Sequence, residues 1–591
     1  MDQLFVEIEI ISSGPETEIL TTVSSFITLY VYRYLQSPQN VKLNFVRSNL
    51  NKAEAKIKLR SQTLRRELTE ERIICKSRTT AQAILDLKLP VYVKDGMECH
   101  SMSAIAGMSA VCRELLLRQG DEERRKLLGF KESCLLAPAE TSIWTRFCEV
   151  NVVEALNRIL STDDFCELPQ EVPRFEKHMN EPVRMHNIYK LARESANKSK
   201  TPLKKGKIII DCNTPKELLL IEHRFAEGIA FTIADLILYP CFRLIFLRCQ
   251  GVLEQFPLLN TWLCEIDSFE PRCYKVFQEL HTFPSNLCKA FPFKIPDCES
   301  SSLYKNDPRR YKPRNRIYTD QSAVDVALAK LQSLQMSFNS DSDIVYNHMP
   351  IDWLSVEPHH AKNSALPQKR LVRKRQQLEN LANAVAALAT DGDRIVDFCS
   401  GTGHLGLLLA LQLPNCIVIL MENKAISLEH AKRRAAELKL KNCLFYQCNI
   451  GYFEGQFEIG TALHACGTAT DIVLRQCMRS RARFVCCPCC YGSLQPMPHI
   501  SYPLSKTFRK VLTEKDLLHI AHTADQAHEL GTLNCKPEIT RQGQLCMDIL
   551  DTDRKLMAEE EGYEVILTRL KPETCTPKNR LLVGTLCRKI K

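Results

Sequence analysis

The stretch Asp393-Arg-Ile395-Val396-Asp397-Phe-Cys-Ser-Gly401-Thr-Gly403-His-Leu-Gly406-Leu-Leu-Leu-Ala-Leu limits what this chain can fold into more than any other. A short apolar run ending in an acid, then glycines spaced Gly-x-Gly-x-x-Gly, then a second apolar run, predicts strand, tight loop and helix. That is the opening of a βαβ unit. Glycines in such a loop imply a backbone that a ligand approaches, since a side chain there would hold it away. Alone, the spacing also fits a dinucleotide fingerprint. Asp397 discriminates. A carboxylate at the strand end would repel a pyrophosphate and suits a ligand that carries an ammonium group.

The next segments extend the same pattern. Cys416-Ile-Val-Ile-Leu-Met421 is expected as the second strand and ends at Glu422. This lies about 20 residues beyond the glycines, where a carboxylate can accept hydrogen bonds from both hydroxyls of a ribose. A third strand, Cys443-Leu-Phe-Tyr, leads to Gln447-Cys448-Asn449. Asn449 is either a contact for an adenine edge or an ordinary turn residue. Near the end, Gln544 to Glu561 reads as helix, and Tyr563 to Arg569 with Arg580 to Leu586 reads as an antiparallel strand pair around a polar, proline-containing loop.

This region resembles the class I methyltransferases. Ile459-Gly-Thr-Ala-Leu-His464-Ala-Cys466-Gly467-Thr-Ala-Thr470-Asp471 further resembles the His-x-Cys-Gly segment of a methyltransferase-like family that includes a tRNA ribose 2′-O-methyltransferase. The resemblance implies a Rossmann-like, seven-stranded sheet closed by the antiparallel pair. It also implies S-adenosylmethionine as cofactor, held by Asp397, Gly401, Gly403, Gly406, Glu422 and Asn449, with RNA or protein as the methyl acceptor.

In that fold the ends of the fourth and fifth strands flank the transferable methyl. His464 to Gly467 and Cys486-Cys487-Pro488-Cys489-Cys490-Tyr491 would then line the acceptor pocket, with His464, Cys466 and Cys487 as catalytic candidates. His464 is either a general base or a ring that bonds a loop. The cysteines allow three readings. Cys486 with Cys489, or Cys487 with Cys490, could hold zinc completed by Cys466 or His464. They could be buried small hydrophobes, or a redox or methyl-accepting thiol. Two separate Cys-x-x-Cys pairs are missing, which favours pocket-lining thiols and no metal.

At 591 residues the chain is long enough for several folding units. Phe5 to Ile11, Thr21 to Leu35 and Val41 to Val46 read as strand, helix and strand, and Lys88 to His100 as two short strands around the Asp95-Gly96 turn. Either Ser101 or Ser103 is a candidate helix cap. Farther on, Thr232-Ile233-Ala234-Asp235 offers a capping box before an apolar run. Ala230 to Pro240 resembles the buried capping-box helix of the glutathione transferase C-terminal domain, and Phe256 to Trp262 the segment that follows it. Leu89-Pro90-Val91 and Ser103-Ala-Ile105 resemble the end of that family's thioredoxin-like domain, where the proline is cis. That family usually has an acid or glutamine before the serine, whereas here it is Met102, a departure that argues against glutathione binding.

The expected divisions are a degenerate thioredoxin-like segment (1–98), an all-helical glutathione transferase-like domain (99–300), a linker (301–368) and a methyltransferase-like domain (369–591). Lys305 to Arg316 and Lys369 to Arg375 are basic, and read as either a phosphate-contacting surface or a solvated connection. A net charge of +10, from 79 basic against 69 acidic residues, permits a nucleic-acid partner without demanding one. The 27 scattered cysteines, the lack of a basic leader before an apolar core, and the lack of an apolar run of membrane-spanning length predict a cytoplasmic protein with reduced thiols and no membrane partner. The competing function is a non-catalytic interaction protein that retains the fold as a scaffold.

Overall fold

The computed structural model describes residues 1–11, 18–48, 55–64, 67–75, 82–95, 102–162, 165–183, 188–198, 214–215, 219, 221–282, 289–290, 293–298, 302–304, 320–338, 346, 351–356, 367–497, 499–527 and 536–587. The chain divides into two compact units. One comprises residues 1–95 and 105–307, the other residues 96–104 and 308–591.

The first unit opens with β1 (Asp2–Ile10), β2 (Ile19–Thr21), β3 (Val41–Arg47), β4 (Ile57–Leu59), β5 (Ile73–Cys75) and β6 (Val91–Lys94). β3 runs parallel to β1 and carries β5 on its far side. The other edge of β1 is shared by two antiparallel partners, β6 beside its first half and β2 beside its second, with β4 outside β2. The helix Val23–Tyr34 follows β2, its first turn capped by Thr22, whose hydroxyl accepts from the Ser25 amide at 3.3 Å. Strand, helix and strand therefore form where the apolar pattern predicts them, and the Leu89–Pro90 bond that leads into β6 is cis.

One capping expectation is corrected here. Ser103 opens a strand, β7 (Ser103–Ala106), and caps no helix. The helix Met108–Arg118 starts after Gly107 and carries Ser109 in its first turn. Ser101 and the second strand expected at Met97 to His100 lie outside the described residues.

Among the described residues, the rest of this unit has helices as its regular structure, apart from the two-residue strands β8 (Cys249–Gln250) and β9 (Lys289–Ala290). The helix Ile233–Arg248 is buried along most of its length, and its capping box is formed as expected. Asp235 Oδ2 accepts from the Thr232 amide at 2.9 Å, while Oδ1 accepts from the Ala226 amide at 2.7 Å and from Trp262 Nε1 at 2.9 Å. Burial pushes this carboxyl up to about 6, and these donors oppose the shift.

The second unit contains β10 (Arg394–Phe398), β11 (Ile417–Met421), β12 (Cys443–Gln447), β13 (Ile459–Cys466), β14 (Arg483–Cys489), β15 (Tyr563–Arg569) and β16 (Arg580–Leu586). Their order across the sheet is β12-β11-β10-β13-β14-β16-β15. The first five run parallel, and β16 is antiparallel to both β14 and β15. The seven-stranded mixed sheet expected of the region is thus present, with the last hairpin closing it. Strand order reverses at β10, so a crevice opens outside the C-terminal ends of β10 and β13. Within the stretch read as a linker, Gln321–Gln332 is a helix that packs on Glu514–Ala524, with Lys330 Nζ 2.7 Å from Asp516 Oδ2. No described helix is long and apolar enough to cross a membrane.

Behind the crevice the long helix Pro537–Glu560 carries a fully buried cation. Arg554 Nε lies 2.7 Å from Asp471 Oδ1 and Nη1 lies 2.8 Å from Asp551 Oδ1. Tyr491 Oη donates to Asp551 Oδ2 at 2.7 Å, and the Tyr502 hydroxyl donates to Asp471. Removing the cation strands two carboxylates away from water, so Arg554→Ala should cost about 3–5 kcal/mol in urea denaturation. Lys432→Ala, which breaks the exposed pair with Glu429, should cost less than about 1 kcal/mol.

Candidate active site

The loop after β10 turns tightly because several of its residues occupy the left-handed region. Cys399 (φ 56), Gly401 (φ 57) and Gly403 (φ 76) all do so, and Cys399 is the one that carries a side chain. The three glycines have different tasks. A Cβ on Gly403 would meet Leu420 at 2.7 Å and Ala431 at 2.8 Å, and one on Gly406 would meet Leu420 at 2.8 Å and Asp397 Oδ2 at 3.0 Å. These two let the helix His404–Gln412 close onto β11. At Gly401 a Cβ would enter open space. Of the three, Gly401 alone leaves backbone free for a ligand.

The two acids stand where the strand ends place them. Asp397 Oδ2 accepts from the Gly406 amide at 2.8 Å, and the residue is 2% exposed. Burial, with the Glu422 charge adding, raises its carboxyl to about 7 against an opposing hydrogen bond from Gly406. Glu422 Oε2 accepts from the Gly401 amide at 2.9 Å and Oε1 from the Lys424 amide at 3.0 Å, so the end of β11 is tied to the glycine loop. Asn449 precedes a short 3-10 turn, Ile450–Tyr452, at the end of β12. Strands β10, β11 and β12 thus present Asp397, Glu422 and Asn449 at one edge of the sheet.

The residues expected on the acceptor side lie at the ends of β13 and β14. A register shift between Leu463 and Cys466 leaves His464 exposed and left-handed (φ 65), with Nε2 2.8 Å from Gln377 Oε1. The protein mass around the ring lowers its pKa; Cys490 opposes this, and Lys374 and Lys578 reinforce it. Lys374 is itself pushed down to about 8, by burial and then by Arg434. Lys374 belongs to the basic run Lys369 to Arg375 that the sequence offers as a phosphate-contacting surface, whereas Lys578, in the loop before β16, does not stand out in the sequence.

The cysteines divide in a way the sequence leaves open. Cys466, Cys489 and Cys490 bring their sulfurs within 4.8 Å of one another. Cys487, expected as a catalytic candidate, does not join them. It is 1% exposed, belongs to the apolar core of the unit and lies 3.6 Å from the Lys578 carbonyl oxygen. Cys486 is buried as well, so neither Cys-x-x-Cys pair forms. Adjacent residues of a strand face opposite sides of the sheet. Both sides are covered here, which sends both thiols inward. Cys490 is held well below the ordinary thiol range, chiefly by hydrogen bonds from Cys466 and Cys489, with Lys578 and His464 adding.

Residues 373–497 match the protein family described as "Methyltransferase domain". The chain is 62% identical over 587 residues to the glutathione S-transferase C-terminal domain-containing protein homolog of Drosophila pseudoobscura pseudoobscura, covering 99% of each chain. It is also 62% identical to the homolog of Drosophila melanogaster over the same shares. Its identity to the glutathione S-transferase C-terminal domain-containing protein of Homo sapiens is 34% over 554 residues, 81% of this chain and 83% of the relative. The chain belongs to the family of glutathione S-transferase C-terminal domain-containing proteins. In this member of the family the methyltransferase match runs through β10 to β14. It includes Asp397, Gly401, Gly403, Gly406, Glu422, Asn449, His464 and all three clustered cysteines.

The glycine geometry separates packing from ligand approach in a way that stability measurements can read. Gly401→Ala meets no neighbour and should cost about 1–2 kcal/mol, the penalty for a side chain in the left-handed region. Gly403→Ala adds steric overlap with Leu420 and Ala431 and should cost about 1–3 kcal/mol beyond that in equilibrium unfolding.

Proposed function

We propose that the second unit is an S-adenosylmethionine-dependent methyltransferase acting on an anionic acceptor, with RNA as the first choice. The observation that carries this reading is Asp397, a buried carboxylate at the end of β10 beside the open backbone of Gly401. It suits a cofactor whose methionine part bears an ammonium and disfavours a pyrophosphate. The match to a methyltransferase domain supports the same cofactor class.

When bound, S-adenosylmethionine supplies an electrophilic methyl group. The chain's own residues would do the rest. Asp397 faces the ammonium, Glu422 accepts from the ribose hydroxyls with the lone pairs its two backbone donors leave, and Asn449 stands at the adenine side. His464, neutral at pH 7 because its pKa is lowered, can take a proton from an acceptor hydroxyl or nitrogen. Lys374 and Lys578 place positive charge on the same side, which favours a phosphate-bearing acceptor.

The first unit is proposed as a glutathione transferase-like docking module. Its support is the buried capping-box helix Ile233–Arg248 and the family's name. Met102 and the strand at Ser103 give no support to glutathione binding.

Calorimetry with S-adenosylmethionine tests the cofactor assignment. An ammonium pairs with the ionised form of Asp397, and burial raises that carboxyl to about 7. Affinity should therefore rise with pH up to about 7, by nearly tenfold per unit on the acid side, until the ligand's own amine begins to lose its proton at about 7.7–8. Asp397→Asn should weaken binding at pH 7.5 by tenfold or more and flatten the profile. Equal binding by the variant and the wild type would overturn the assignment. Transfer of labelled methyl into an RNA fraction is the expected activity; label in protein alone would overturn the choice of acceptor, and label in neither fraction would favour the scaffold reading.

A further inference from the structure

We propose that Cys466, Cys489 and Cys490 form a site for one thiophilic divalent ion of the zinc class, bound through three sulfurs with a fourth position open at the acceptor end of the sheet. The site differs from both Cys-x-x-Cys pairings that the sequence suggests. It draws one ligand from the end of β13 and two from the end of β14.

The distances fit. At a zinc–sulfur bond of about 2.3 Å, tetrahedral sulfurs lie about 3.8 Å apart. The three sulfurs here are all within 4.8 Å of one another, and Cys466 Sγ is 3.4 Å from Cys489 Sγ. Adjustments of a few tenths of an ångström to an ångström separate this arrangement from a coordinated one. Cys466 and Cys489 face each other directly in the β13–β14 register, just past the register shift. Cys490 is left-handed (φ 49), a conformation unfavourable for a residue with a Cβ. Such conformations persist where the surrounding structure over-determines them, and they gather at functional sites.

The reading of these thiols as small buried hydrophobes fails for Cys466, which is exposed, and Cys490 is half-buried. Three thiolates around a divalent ion leave one net negative charge. Lys578, itself paired with Asp525, is within electrostatic reach of both Cys466 and Cys490 and partly offsets it. Neither ring nitrogen of His464 lies within 4.8 Å of all three sulfurs, and its Nε2 bonds Gln377, which leaves that position for water or for an acceptor oxygen, nitrogen or sulfur. Use of the open position by an acceptor rests on the methyltransferase reading; binding of the ion does not.

Cobalt(II) titration of the full-length, reduced, chelator-stripped protein is the test. The expected result is one equivalent bound, with thiolate-to-cobalt charge-transfer absorption and the intense visible bands of four-coordinate cobalt, all displaced by zinc. Cys466→Ser and Cys490→Ser should each weaken binding by about tenfold or more, while Cys264→Ser, which alters an exposed thiol elsewhere, should leave the spectrum unchanged. Circular dichroism establishes that each variant folds, and calorimetry with S-adenosylmethionine on Cys490→Ser reads the cofactor site separately. Absence of the tetrahedral spectrum in the wild type would overturn the proposal. So would its survival in the folded Cys466→Ser/Cys490→Ser double variant.

Discussion

The ends of β13 and β14 in the second unit depend on one buried cation. Both strands that lead there finish in backbone that ordinary side chains resist, with His464 and Cys490 in the left-handed region. Past the register shift the two strands keep one further pairing, Cys466 with Cys489, before the chain leaves the sheet. Arg554 supplies the restraint from behind. It pairs with Asp471, on the helix that follows β13, and with Asp551, which accepts from Tyr491 immediately after β14. The desolvation of three charged groups is offset only while all three are present, so the contacts are lost together or not at all. Such an arrangement fixes the relative position of two loops better than three exposed pairs could.

A second restraint acts at the cofactor end, and it is steric. Gly403 and Gly406 bring the helix His404–Gln412 onto Leu420 of β11, while the hydrogen bond from the Gly406 amide to Asp397 turns the carboxylate toward the helix start. Glu422 then closes the loop through the Gly401 amide. Packing, hydrogen bonding and the placement of two acids are therefore one feature. The site is set by the same contacts that make the βαβ unit fold.

This explains what the sequence made legible. Strand, loop and helix from Asp393 to Leu411 show plainly because apolar runs bounded by glycine and acid have few other solutions. Asp397 and Glu422 follow from their positions at strand ends. Cys487 does not, because a strand covered on both faces has no polar alternation to separate an inward thiol from one at its end. Cys489 and Cys490 reach the site only because β14 stops at Cys489 and the chain turns there, and strand ends are the least certain part of a pattern-based reading. The helix Gln321–Gln332 is hidden by the basic and polar segments around it, although Asp320 accepts from the Ser322 amide at its start. Lys374 and Lys578 are separated by some two hundred residues of chain, and only the fold brings both to His464.

The two ends of the crevice also differ in charge, and that difference has a consequence for orientation. Asp397 and Glu422 lie at the ends of β10 and β11, whereas Lys374 and Lys578 act on the side of His464 and Cys490. A cofactor carrying positive charge is drawn toward the acids and repelled by the lysines, and an anionic acceptor experiences the reverse. On the proposed methyltransferase reading, the sheet would sort its two ligands before any specific contact forms. On that proposed reading, a neutral or cationic acceptor would gain nothing from such a field, so the lysines would weigh against such acceptors even though His464 alone would serve them equally well.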